Sequence, residues 1–154
     1  MKKILPIIIT ILVAALTAAA VALAAPTIKV GTLFAGSTAH KRYAISVSAK
    51  CSVAKCSKTA NEVLVTVTAG KRSNPNGACQ FAGYGLPLTK ISGGKFSGKQ
   101  SFFEPKGPVS FSVSGKFASA TKVSGTVVGS KSCGGTDTFS LTGKVVSAPS
   151  GPTG

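Results

Sequence analysis

Tyr43-Ala44-Ile45-Ser46-Val47-Ser48-Ala49 and Val109-Ser110-Phe111-Ser112-Val113-Ser114 decide the fold of this chain. In both stretches apolar residues alternate with small, mostly polar ones at a period of two. That is the period at which successive side chains of an extended strand point to opposite faces. The same alternation recurs outward from them. Val63, Val65 and Val67 alternate with Leu64, Thr66 and Thr68; Val123, Gly125 and Val127 with Ser124 and Thr126; Phe139 and Leu141 with Ser140 and Thr142. Less regular strands are expected over 28–34, 79–91 and 95–103. One apolar and one hydroxyl face per strand means an antiparallel sheet wetted on one side. Two such sheets face to face give the expected fold, an all-β antiparallel two-sheet sandwich of about 7–9 strands.

Punctuation agrees with that count. Asn74-Pro75-Asn76-Gly77 and Ser92-Gly93-Gly94 are turn signals, because Gly and Asn tolerate positive φ and Pro presets its own. Leu86-Pro87-Leu88-Thr89-Lys90 reads as a strand with a proline at its edge. Gly-Lys pairs stand at 70–71, 94–95, 98–99, 115–116 and 143–144. Gly94-Lys95-Phe96-Ser97 is echoed by Gly115-Lys116-Phe117-Ala118, a repeat of hairpin length. No helical segment of useful length follows Thr27.

The N-terminus has the grammar of export. Met1-Lys2-Lys3 precedes a run without charge through Thr27, and Ala22-Leu23-Ala24 fits the A-x-A pattern. Residues 1–24 are therefore expected to be a cleaved signal peptide, 25–146 the β domain, and 147–154 a disordered Pro/Gly/Ser tail. The same run is also long enough for a retained membrane anchor, which needs roughly 20 apolar residues. Pro6 and the Ala-rich exit favour cleavage. No cysteine lies near the cut for lipid attachment, so the product is expected to be soluble and secreted.

Charge is the one compositional feature that implies a partner. Lys and Arg number 18 against three acids, a formal +15; loss of Lys2 and Lys3 leaves +13 on the 130 residues that follow residue 24. Such a field attracts polyanions: anionic cell-wall polymer, acidic polysaccharide, extracellular DNA or anionic lipid headgroups. With two arginines and aromatics at inward parity, the expected binding is salt-sensitive and not sequence-specific for nucleic acid. The basic foci are Lys41-Arg42 and Lys71-Arg72. The plainer reading is that the lysines keep an exported protein soluble and blunt its sheet edges. The outward Ser/Thr rows likewise read as the ordinary outer face of a sheet.

Four cysteines in an exported domain read as two disulfides with three possible pairings. Cys51 shares the parity of Ala49, and Cys133 that of Phe139. Parity therefore favours Cys51–Cys133 with Cys56–Cys79; Cys51–Cys56 with Cys79–Cys133 remains the rival. Cys51-x4-Cys56 is not a zinc knuckle, so no metal is expected.

Little else carries chemistry. His40 is the one histidine, and Lys41 and Arg42 beside it disfavour its charged form. Glu62, Glu104 and Asp137 are the only carboxylates, most simply surface ion-pair partners for the lysines. No serine sits in a G-x-S-x-G elbow. A non-enzymatic module without a cofactor is expected. Two rivals stay open: a protein-binding or protease-inhibitor-like domain using the 71–77 loop with Arg72, and a small hydrolase using serine, His40 and Asp137.

Phe96-Ser97-Gly98, Val109-Ser-Phe-Ser-Val-Ser-Gly-Lys-Phe117 and Lys122-Val123-Ser124-Gly125-Thr126 together resemble a group of small secreted bacterial β-sandwich proteins, common in actinobacteria and of unknown function. The stretch from Tyr43 to Cys51 is similar to their first Cys-terminated strand, and Cys133-Gly-Gly-Thr-Asp-Thr-Phe139 to their last. Cysteines 56 and 79 are additions to that pattern. The resemblance implies fold and export, and no catalytic residues.

Overall fold

The computed structural model describes residues 24–51, 58–70, 79 and 83–146. The expected leader apart from Ala24, the tail 147–154 and the turn at 74–77 lie outside the described residues. Nine strands run through the described chain: β1 (Thr32–Ser37), β2 (Tyr43–Lys50), β3 (Glu62–Ala69), β4 (Tyr84–Gly85), β5 (Thr89–Lys90), β6 (Lys95–Glu104), β7 (Gly107–Ser119), β8 (Lys122–Gly129) and β9 (Thr136–Val145). A 3-10 turn, Lys131–Cys133, leads into β9.

Period-2 alternation places side chains as expected. Tyr43, Ile45, Val47 and Ala49 are buried, as are Val63, Val65, Val67, Val109, Phe111, Val113, Val123, Val127, Phe139 and Leu141. All pairings are antiparallel. Gly93 and Gly94 both take positive φ, 55° and 72°, between Ser92 and Lys95, whose backbones exchange two 2.9 Å hydrogen bonds. That is the primed turn which matches the twist of a hairpin.

The strands form one sheet where two stacked ones were expected. Its hydrogen-bonded order is β4-β3-β2-β1-β9-β8-β7-β6, with β5 also on β3. The join is β9, whose first part pairs with β8 and whose end, Gly143 to Val145, pairs with β1. At the far ends β6 comes back towards β5: a methyl group at Gly98 would lie 2.8 Å from the Thr89 hydroxyl oxygen. The sheet is thus curled into a nearly closed barrel.

Aromatic rings fill it. Phe34 and Phe96 both pack on Phe117, with centroids 5.4 and 5.5 Å apart, while Tyr43 and Tyr84 pack on Phe111 at 5.9 and 4.5 Å. Space for these rings comes from inward glycines in register with them: Phe34 faces Gly143, Phe96 faces Gly115, and Phe139 faces Gly125. Gly115 and Gly125 also face one another across β7 and β8.

One end of the barrel is tied covalently. Cys133 bonds Cys79, with Cα atoms 5.5 Å apart. The expected Cys51–Cys133 and Cys56–Cys79 bridges are therefore corrected. The parity carried back from Phe139 crosses Gly134 and Gly135, whose φ of 108° and 71° break the extended strand before it reaches Cys133. Cys79–Cys133 belongs to the rival pairing; Cys51 is also disulfide-bonded, and Cys56 lies outside the described residues. A bridge across 54 residues is worth on the order of 2–4 kcal/mol.

Gly125 tests the glycine–aromatic fit. A methyl group there would run into the Ser114 carbonyl oxygen and sit 2.6 Å from the Phe139 ring and 2.8 Å from Gly115 Cα, two of them backbone atoms that cannot step aside. Gly125→Ala is expected to cost about 1–3 kcal/mol or more in urea unfolding. Gly85→Ala, with nothing within 4 Å of the added methyl, should change stability by less than about 0.5 kcal/mol. Equal effects at the two sites would refute the close-approach argument.

Candidate functional site

At one barrel end the turn between β1 and β2 closes on a buried carboxylate. Asp137 is the second residue of β9 and has a side-chain exposure of 0%. Its oxygens accept from the backbone N–H groups of His40 (3.1 and 3.3 Å) and Thr138 (2.9 Å), and from Arg42 at 3.5 Å. His40 Nδ1 lies 2.8 Å from Oδ1. Burial alone would push the Asp137 carboxyl up. Hydrogen bonds from the Thr38 and His40 side chains and from the Thr138 and His40 backbones outweigh it, holding the group well below the usual carboxylate range.

His40 and Asp137 were the acid–base pair of the hydrolase reading, and the structure does bring them together. Their geometry nevertheless serves the turn: Asp137 is saturated by donors from residues 38–42 and 138, and the His40 side chain is 73% exposed. Among the described residues no serine or threonine hydroxyl hydrogen-bonds the His40 ring.

The other two carboxylates are also shielded from solvent. Glu104, at the end of β6, accepts from the Cys79 N–H and the Tyr84 hydroxyl, and so braces the disulfide against the aromatic core. Glu62 opens β3 in register between Lys50 and Lys90, yet is buried, and its Oε2 has no hydrogen-bond partner among the described residues. The expectation that these acids are surface partners is thereby corrected. All three are buried, while all twelve described lysines and Arg42 are exposed.

Of the expected basic foci, Lys71 and Arg72 lie outside the described residues, as does the 71–77 loop. Gly70, just before them, donates to the Arg42 carbonyl at 2.9 Å. Lys41 holds the turn in left-handed geometry at φ 56°. The Arg42 guanidinium is partly committed to the fold: Nη1 donates to the carbonyls of Gly134 at 2.7 Å and Thr136 at 3.3 Å. Tyr43 anchors the same loop through its hydroxyl, which donates to the Gly135 carbonyl at 2.6 Å. Burial pushes that phenol up to about 12, with Arg42 opposing and Asp137 adding to the rise.

A second basic region lies on the outer face of β6, β7 and β8. Register aligns Lys95, Lys116, Ser124 and Ser140 in one cross-strand row, and Ser97, Ser114, Thr126 and Thr138 in the next. Where the first row meets β5, over Gly115 and Gly125, the surface dips into an open depression of about 630 Å³ lined by Lys90, Lys95, Lys116 and four serines, with no carboxylate in its wall. The sequence reading missed these lysines, though the signal was present. The two echoed Gly-Lys-Phe segments are neighbours, pairing Lys95 with Lys116 and Phe96 with Gly115.

No family model matches the chain, and neither the curated proteins nor the solved structures contain a match. Among the described residues no helix is long and apolar enough to cross a membrane, and no cluster of three or more metal-ligating side chains occurs.

The Asp137 knot has a pH signature. The folded carboxyl titrates below the unfolded value of about 3.9, so between those two points the unfolded chain binds the extra proton. Stability from this group is complete above about pH 4 and is expected to fall as pH drops through the window below it. Asp137→Asn should lower the melting temperature at pH 7 and flatten the acid limb of the stability–pH curve. An unchanged acid limb would count against the knot. His40→Ala, removing an exposed ring, should cost no more than about 1 kcal/mol.

Proposed function

We propose that the protein is a secreted, non-enzymatic module that binds anionic envelope or extracellular polymers through its basic surface. One observation carries this reading. The three acids that could neutralise the lysines are buried in the fold, while every described basic side chain faces outward. A coat of mixed charge would serve solubility equally well. A coat of one sign produces a field that concentrates polyanions around the whole molecule. The disulfide fits an oxidising, extracellular setting. The likeness to secreted actinobacterial β proteins, read from the Phe96, Val109 and Lys122 segments, agrees with export and belongs to the same proposal.

Lysine supplies point charges without the planar, two-pronged recognition of arginine, so affinity should depend on charge density more than on sequence or stereochemistry. The mature chain is expected to be retained on heparin. Affinity should fall linearly in log–log form with salt, by roughly a hundredfold between about 50 and 200 mM. Elution at low salt, no later than a variant with its exposed lysines changed to glutamine, would overturn the reading.

The 2.8 Å His40–Asp137 contact favours a second reading, a small hydrolase in which Asp137 orients His40 as a base. Any hydrolytic activity that survived His40→Ala undiminished would remove it.

A further inference from the structure

We propose that the depression over Gly115 and Gly125 is a specific seat on that surface, where Lys95, Lys116 and Lys90 hold a phosphate or sulfate ester group of the bound polymer. This rests on the polyanion reading and narrows it to one place and one chemistry.

Lys95 and Lys116 are direct cross-strand partners on β6 and β7. Side chains so placed have Cβ atoms about 4.5–5.5 Å apart, and like charges at that spacing destabilise a sheet. Lys90 joins them through the turn at Gly93-Gly94, which folds the end of β5 back beside the start of β6. Glu62 is in register with Lys90, but no ion pair joins them among the described residues and Glu62 does not line the depression. Three cations therefore share one concavity with no compensating charge in its wall. An anion would supply it.

The remaining lining defines which anion. Ser92, Ser97, Ser114 and Ser124 bring hydroxyl groups to the wall, which Phe96, Gly115 and Gly125 complete. A tetrahedral ester oxyanion presents acceptors in several directions to ammonium and hydroxyl donors drawn from several strands, whereas a carboxylate presents two oxygens in one plane. The volume, about 630 Å³, is of ligand size. The depression is also open along the sheet, so a polymer can cross it with one ester seated and the chain continuing on either side.

The test uses the full mature chain and three polymers: heparin for sulfate esters, a poly(glycerol phosphate) for phosphodiesters, and polygalacturonate for carboxylates. Lys95→Ser/Lys116→Ser is compared with Lys29→Ser/Lys144→Ser, which removes the same charge from exposed positions outside the depression. The first variant should lose at least tenfold affinity for both ester polymers, and the second no more than about threefold by its smaller overall charge. In buffer without polymer the first variant should melt at or above the wild-type temperature, because a repulsive pair has been removed. Inorganic phosphate or sulfate should raise the melting temperature of the wild type and of the Lys29/Lys144 variant, and raise that of the Lys95/Lys116 variant less.

Equal loss in the two variants would overturn the seat while leaving the general cationic reading standing. Tighter binding of polygalacturonate than of either ester polymer would overturn the ester assignment. A Lys95/Lys116 variant that melts well below wild type would overturn the argument from unrelieved repulsion. Failure of the wild-type chain to bind any of the three would remove the polyanion reading and the seat together.

Discussion

The structure depends on inward glycines lying in register with aromatic rings. A sheet of nine strands that curls back on itself leaves less room on its inner face than on its outer one, so large inward side chains need small ones opposite them. Phe34 over Gly143, Phe96 over Gly115 and Phe139 over Gly125 meet that condition on three separate strand pairs. Each ring occupies the volume its partner's side chain would have needed, and glycine lets the backbones draw together beneath it. Phe34 and Phe96 also meet across the interior on Phe117. The same residues thus set the curvature and fill the cavity that the curvature encloses.

Closure has an electrostatic consequence. A nearly closed barrel still has ends, and the described end is held by polar ties as well as by rings. Asp137 gathers the 38–42 turn, Glu104 braces Cys79 and Tyr84, and Arg42 and Tyr43 hold the Gly134-Gly135 loop. Two of the three acids of the chain are used in this way, and the third, Glu62, is buried at the start of β3. The fold thereby draws the charge of Asp137 and Glu104 inside, while every described lysine stays exposed.

Much of the local structure was legible in the residues because period-2 alternation is a local signal. Val109, Phe111 and Val113 had to share one face once they were strand, and Ser92-Gly93-Gly94 marked a turn whose primed geometry the structure supplies. What was not legible depended on distant pairings. Nothing within Thr136–Val145 announces that one strand serves two partners and so converts two sheets into one. Cys133 was assigned by a parity that two left-handed glycines interrupt, so its partner was read wrongly. Carboxylates usually sit on the surface; the burial of Glu104 and Asp137 reflects donors contributed by residues far away in the chain, Cys79 to Glu104 and His40 to Asp137, whereas Glu62 Oε2 is buried without such a donor among the described residues. The Gly-Lys-Phe echo was visible, but its meaning required antiparallel register, which turns two separate lysines into neighbours.

That register also links the fold to the outer surface. In a strand, the residue next to an inward glycine must point outward, so Lys116 follows Gly115 and Ser124 precedes Gly125 on the exposed face. Lys95 is brought opposite Lys116 by the same pairing that sets Phe96 on Gly115. A slip of β6 by one residue would turn Phe96 to solvent and Lys95 into the core, so the hydrophobic fit fixes the charge pair as firmly as it fixes the rings. The repulsion between Lys95 and Lys116 is therefore carried by the core and cannot relax by sliding the strands. A cation pair pinned in this way, over a dip left by two glycines, keeps its charge directed at one point on the surface whether or not an anion is present.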